Sequence, residues 1–157
     1  MVGDRCVGKT SLLLTYSSNE FPKGVPPTVI EAYKGQTKHK GDNIDLDIYD
    51  TAGQDDFARV RPISYNNAGV FMVCFSLVNE ASLENACTKW YNELKLLAPK
   101  CPFILVGTKS DLRDEYLNGD SEMKKNMAIT YTQGLSMAKK HNFSAYYECS
   151  AKSKQKL

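Results

Sequence analysis

The sequence predicts an α/β fold, with a mostly parallel sheet, helices on both faces and one antiparallel hairpin at the sheet edge. Three observations carry that expectation. The runs "VFMVCFS" (70–76) and "FILVG" (103–107) are continuously apolar, as strands covered on both faces are. Helical stretches follow each run, so that strands alternate with crossovers, which close right-handed and pair strands in parallel. Between residues 29 and 50 the pattern switches to period two, the mark of a half-wet hairpin.

The elements follow in order. "VGDRCVGKTS" (2–11) has the frame G-x-x-x-x-G-K-[ST], read as Gly3, Gly8, Lys9 and Thr10, and runs into a short helix, "KTSLLLTYSS". "FPKGVPPTV" is rich in Pro and Gly and reads as a restrained loop. In "IDLDIYD", Ile44, Leu46 and Ile48 face one way and Asp45 and Asp47 the other, with "VIEAYKGQTKHK" as the partner strand across "GDN". The stretch "SLENACTKWYNELKLLA" reads as a helix with Ser82 as N-cap and Asn85 at the capping-box position. "YTQGLSMAKKH" reads as a second helix and "SAYYECS" as a third, weaker strand. A phosphate loop needs a strand before it, and only Met1 and Val2 stand there; a further crossover helix is expected where "SAKSKQKL" stops. The chain is therefore expected to be a fragment, its first strand and last helix largely missing. Residues 1–157 read as a single domain, incomplete at both termini.

With 157 residues, 42% of them hydrophobic, the chain suffices for one real core. Twenty basic and eighteen acidic residues give a formal charge of +2, and no basic stretch is interleaved with aromatics, which argues against a nucleic-acid partner. The longest apolar run, Val70 to Phe75, is far short of a membrane span. Five scattered cysteines without C-x-x-C spacing read as free thiols of a reducing cytosol, so a cytoplasmic location is expected.

Four segments carry chemistry. In the first, backbone N–H groups from Arg5 through Cys6, Val7, Gly8, Lys9 and Thr10 can curl around a polyphosphate, helped by the helix N-terminus. Lys9 would reach the β- and γ-phosphates, and the Thr10 hydroxyl suits Mg²⁺, which prefers hard oxygen ligands. The bland alternative is a Gly-rich turn before a helix. The second is "DTAGQ" (50–54): Asp50 can hold Mg²⁺ through water, Gly53 offers a backbone N–H, and Gln54 could orient a water in line with the terminal phosphate. Alone it is a polar turn with a solvated Asp.

The third segment, "GTKSD" (107–111), places Asp111 where its carboxylate can accept from the N1–H and exocyclic amine of guanine. Adenine presents an acceptor and no amine at that edge, so the same carboxylate rejects an adenine nucleotide. An ordinary charged loop is the alternative. "CSAK" (149–152) ends the last strand, and its backbone at Ser150, Ala151 and Lys152 can reach the guanine carbonyl.

In this order the four segments resemble the Ras-type small GTPases and, within them, the Rho family. The Rho likeness lies in "GQDDFARVRPISY", "VCFSLVNEASLENACTKWYNEL" and the stretch from Asp111 to Gln133, while "TKSD" and "ITYTQGLSMAKK" lean toward Rac-like members. The resemblance implies a small G-domain of the P-loop NTPase class, holding GTP or GDP with Mg²⁺ in the cleft at the strand C-termini. It implies cofactor contacts from Gly3, Asp4, Ser11, Phe21 (against the base), Thr108 and Lys109, and a Thr28 that closes over the γ-phosphate and Mg²⁺. Lys9, Thr28 and Gln54 would serve GTP hydrolysis, and Thr10, Thr28 and Asp50 the metal. Pro22–Tyr33 and Thr51–Tyr65 would be the switch segments that effector proteins, exchange factors, GTPase-activating proteins and dissociation inhibitors read, in signalling to the actin cytoskeleton. Residues 114–127 match a Rho-type insert, expected as an exposed, charged segment with a turn at Asn118-Gly119. A prenylation tail, where the full-length protein has one, would attach it to the cytoplasmic membrane face.

Three positions depart from the family pattern. Arg5 stands where the phosphate loop usually has its second glycine, so impaired hydrolysis is expected. Val25 replaces an aromatic that lids the phosphates. Thr108 replaces the general Asn, as in Rac-like members. The competing readings are a GTP-locked effector-binding module with negligible hydrolysis and a truncated product that does not fold.

Overall fold

The computed structural model describes residues 1–53, 57, 59–66 and 68–157. Its centre is the pair of strands that the apolar runs foretell, β4 (Phe71–Ser76) and β5 (Phe103–Thr108), paired in parallel. Alternate residues leave opposite faces of a strand, and here both faces are covered. Val73, Phe75, Phe103 and Leu105 enter one cluster with Leu77, Trp90, Leu94, Phe143 and Tyr146. Cys74 and Val106 enter a second with Val7, Leu12, Leu13 and Cys149. Continuous hydrophobicity is the outcome of two cores sharing one sheet.

The other elements in chain order are β1 (Val2–Gly3), α1 (Lys9–Ser18), β2 (Ile30–His39) and β3 (Asp42–Thr51). A 3₁₀ turn, Arg61–Tyr65, precedes β4. Next come α2 (Glu80–Asn85), a π turn (Ala86–Trp90) and α3 (Tyr91–Leu97), then, after β5, α4 (Ser110–Asn118), α5 (Glu122–Met127), α6 (Tyr131–Lys140) and β6 (Ala145–Glu148). The main sheet runs β1-β4-β5-β6, all parallel. No helix of the described residues is long and apolar enough to cross a membrane.

Two expectations need correction. The hairpin β2–β3 is antiparallel over ten residue pairs as expected, but it forms its own two-stranded sheet rather than the edge of the main one. The reason is the two-residue β1, which ladders with β4 on one side. On the other side the Met1 ammonium, donating to the Tyr49 carbonyl, and Thr51 Oγ1, donating to Met1 O at 2.9 Å, tie the hairpin to it, with no ladder between them among the described residues. The helix in "SLENAC" starts earlier than the capping pattern implied. Asn79 is its N-cap, accepting from Ser82 N at 3.1 Å, while Ser82 is buried and its Oγ accepts from Ser76 N at 2.9 Å. Burial claims the residue that the local pattern assigned to a cap. Farther on, α6 begins with a full capping box between Thr130 and Gln133.

Candidate functional site

The C-terminal ends of β1, β4, β5 and β6 lie side by side, and in open parallel sheets ligands gather at that edge. Two adjoining cavities open there. One, of ≈ 350 Å³, is lined by residues of the Gly-rich loop (Arg5, Cys6, Gly8, Lys9, Thr10, Ser11), by Val25–Thr28 and by Thr51–Gly53. The other, of ≈ 190 Å³, is lined by Phe21, Thr108, Lys109, Asp111, Leu112, Ala151 and Lys152. Gly8, Ser11 and Lys109 line both, so the two cavities adjoin.

Two of the glycines show how far the loop's course depends on that residue. Gly8, at φ 107°, caps α1 in the left-handed region, which side chains avoid. Gly53 packs on the loop itself: a Cβ there would lie 2.4 Å from Arg5 N and 2.6 Å from Gly3 O. Lys9 is buried at 6% exposure and its Nζ donates to the carbonyls of Gly3 and Asp4, both at 2.9 Å. Burial lowers its pKa below the ordinary lysine value, against the pull of nearby negative groups that include Asp50 and Asp4. Arg5 is exposed and stands on the wall of the larger cavity.

The three residues expected at the metal come together from three elements. The hydroxyls of Thr10 and Thr28 are 2.9 Å apart, Thr10 donates to Asp50 Oδ2 at 2.5 Å, and Thr28 lies 3.5 Å from the same oxygen. Asp50 is wholly buried, and its Oδ1 has no hydrogen-bond partner among the described residues. Burial raises its pKa, opposed by Thr10 and Lys9. An orphaned carboxylate oxygen beside two hydroxyls is a hard, oxygen-only donor set, which fits Mg²⁺ and disfavours softer metals.

In the smaller cavity Asp111 sits in the first turn of α4 and accepts from Ser150 Oγ at 2.6 Å. Thr108 Oγ1 donates to Val7 O, and Lys109 Nζ to Cys6 O at 2.8 Å, pinning the β5 end to the Gly-rich loop. Phe21 is half-exposed on the cavity wall, and Ala151 and Lys152 stand with it on that wall.

Most of the expected residues are thus assembled, with three qualifications. The Asp4 carboxylate is held from behind by Asn85 and Trp90, and only its backbone belongs to the loop. The side chain of Val7 is in the core, so the loop uses its main chain. Gln54 lies outside the described residues. Asn85, Trp90 and the hydroxyl of Ser150 were not legible as partners, because each meets its carboxylate across 39 to 86 residues of chain. The single Trp was the one available signal. A family profile described as Ras family matches residues 1–157. With two adjoining cavities at the sheet edge, the chain belongs to the Ras family, whose members are small GTPases that bind guanine nucleotides and act as switches.

Proposed function

We propose that the chain is a Rho-type, Rac-like switch that binds GTP or GDP with Mg²⁺ and hydrolyses GTP slowly because of Arg5. The observation that carries this reading is the pair of joined cavities, with Lys9, Thr10 and Thr28 in one and Asp111 in the other. Guanine would sit between Phe21 and Lys109 with its donors on Asp111, and the phosphates would lie on the N–H groups of residues 5–10. Thr10 and Thr28 would hold the Mg²⁺, with Asp50 behind them, and the ion would supply charge neutralisation between the phosphates. Gln54, in the second switch segment, would orient the attacking water.

The Rho-type assignment, with its effectors, exchange factors, activating proteins and dissociation inhibitors, rests on the likeness of residues 53–65, 73–94 and 111–133. The same likeness supports a cytoplasmic protein that reaches the membrane face through a prenylation tail of the full-length form. The exposed guanidinium at position 5, on the wall shared with Gly53, supports slow hydrolysis. It equally favours a second reading, an effector-binding module that stays GTP-loaded. Titration with fluorescent GDP and GTP in Mg²⁺, followed by single-turnover hydrolysis, tests both. Submicromolar guanine binding with slow release of phosphate supports the first reading. Absence of any guanine preference would sink both.

A further inference from the structure

Asp4 stands in the phosphate loop with its carboxylate turned away from the cavity. Asn85 Nδ2 donates to Oδ2 and Trp90 Nε1 to Oδ1, each at 2.7 Å. In an α-helix of 3.6 residues per turn, residues five apart point about 140° away from each other. The π turn Ala86–Trp90, bonded i to i+5, brings them onto one side, so both reach the same carboxylate. Such turns cost regular helix geometry and recur at functional sites.

The indole carries a second load on its face. The Arg61 guanidinium lies 4.6 Å from the ring centroid, and the residue is fully buried. Its Nη2 pairs with Glu93 at 3.0 Å, and Tyr65 donates to the same carboxylate at 2.6 Å. Its Nη1 donates to the Ala52 carbonyl at 3.3 Å. Ala52 precedes Gly53, and Gly53 is the residue whose Cβ would meet the Asp4 and Arg5 backbone at 2.4 Å. The contacts therefore close on themselves, from Asp4 to Trp90 to Arg61 to Ala52 and through Gly53 back to Asp4. Gly53 lines the phosphate cavity and not the base cavity, so it belongs to the end of the site remote from the base.

We infer that Asp4, Trp90 and Arg61 are positioning residues of a closed ring that seats Gly53 against the phosphate loop and sets how strongly the site prefers a nucleoside triphosphate over a diphosphate. The inference rests on the reading of that loop as the phosphate cradle. On that reading a diphosphate would end short of Gly53, whereas a terminal phosphate would come within reach of its N–H. A contact that merely supports the fold would weaken both ligands alike; the ring acts on one of them.

Trp90→Phe keeps an aromatic face for Arg61 and deletes the donor to Asp4, at the cost of a smaller ring in the core that the melts register. Arg61→Lys keeps the charge over the indole and loses the fork that joins Ala52 to Glu93. Dissociation constants for GDP and for a non-hydrolysable GTP analogue are measured with Mg²⁺ by fluorescent-nucleotide titration, on each variant and on the unaltered chain, with thermal melts alongside. Affinity for the triphosphate analogue should fall about tenfold, the size of one hydrogen bond to a charged group, with GDP affinity held within about twofold. Equal losses for both ligands, or an unchanged ratio in both variants, would overturn the ring. A variant that no longer binds GDP also counts against it, because a device acting at the terminal phosphate leaves the diphosphate site standing. If the unaltered chain binds neither nucleotide, the cradle itself is wrong and the ring falls with it; a lost ratio effect in GDP-binding variants removes the ring alone.

Discussion

Ser150 Oγ donates a 2.6 Å hydrogen bond to Asp111 Oδ1, joining the segment just past β6 to the first turn of α4. The serine is wholly buried and fixes the direction of a carboxylate that, on the proposed reading, would meet two guanine donors at once. Asp111→Asn should weaken GTP and GDP and favour xanthine nucleotides, whose C2 carbonyl can accept from the new amide. Ser150→Ala should lower guanine affinity by about tenfold while keeping the base preference, since it frees the carboxylate without changing its chemistry. A competition titration reads both, and an unchanged guanine margin in Asp111→Asn would show that the pocket is misassigned.

The thiols separate by burial. Cys6 is exposed on the phosphate cavity, whereas Cys74, Cys87 and Cys149 are buried. Burial pushes the Cys74 and Cys87 thiols up to about 11 and Cys149 to about 12, so their thiolates are scarce at neutral pH. Cys6 should label first with a maleimide, and GDP should slow that labelling while leaving the buried three unchanged. Because the folded chain keeps these protons and the unfolded chain releases them near the ordinary thiol value of 9.0, stability should fall as pH rises from about 9 toward 11. Melts across that window check it; a rise in Tm would contradict the assignment.

The stretch 114–127 is two pieces. Residues up to Asn118 complete α4, whose first turn holds Asp111, and α5 follows after the turn at Gly119. No side chain of α5 is buried, while Ala128 and Ile129 immediately after it are, with Ile129 N bonded to Leu77 O at 2.8 Å. Removing residues 120–127 with a short linker should leave nucleotide affinity within about twofold, because few buried contacts are lost. Removing 114–127 should weaken it, because the cut shortens the helix that carries Asp111. Equal effects in a binding titration would contradict this division.

What the sequence could disclose follows from range. Lys9, Thr10, Asp50 and Asp111 were legible because each stands in a short motif whose spacing encodes its chemistry. Strands β4 and β5 were legible because two covered faces leave no polar alternation. The separate hairpin was not, since period two specifies a wet face and not a neighbour. Nor was Asn79 as the cap of α2: Ser82 fits the local pattern equally well, and only burial against Ser76 decides between them. The ring through Asp4, Trp90 and Arg61 has no local signature at all; the hydrogen bonds that link it span 9 and 86 residues of chain.

Gly134 in α6 makes room for Tyr146. A Cβ there would lie 2.1 Å from the Tyr146 hydroxyl, which donates to Glu148 at 2.6 Å. Glu148 pairs in turn with Arg113 of α4 at 2.9 Å. Gly134→Ala should destabilise the fold by about 1–3 kcal/mol, the usual cost of overpacking, despite the better helix propensity of alanine. Because the ring carbon Cζ would lie only 2.4 Å away as well, the double change with Tyr146→Ala, which removes the whole colliding ring, should cost less than the two single changes added together in denaturant unfolding. No loss in the single variant would mean that the tyrosine moves freely.

Arg5 is the residue that most separates this chain from the family pattern, and its setting explains why binding and hydrolysis should part. The cradle is built of backbone N–H groups, so an exposed side chain need not disturb it. The Arg5 amide, however, lies beneath Gly53, where a Cβ would come within 2.4 Å, and the side chain leaves the loop on the wall that Gly53 shares. The residue that follows Gly53 in the sequence is Gln54, which on the proposed reading would orient a water in line with the terminal phosphate. A bulky cation rooted there would displace that water or the group of an activating partner, and a misplacement of about 1 Å can cost on the order of 10²-fold in rate. Arg5→Gly should therefore raise single-turnover GTP hydrolysis by roughly tenfold or more, and further with an activating protein, while GDP affinity changes little. Quench-flow or phosphate-release measurements on both proteins decide it. A glycine variant no faster in either condition would clear Arg5 of the role.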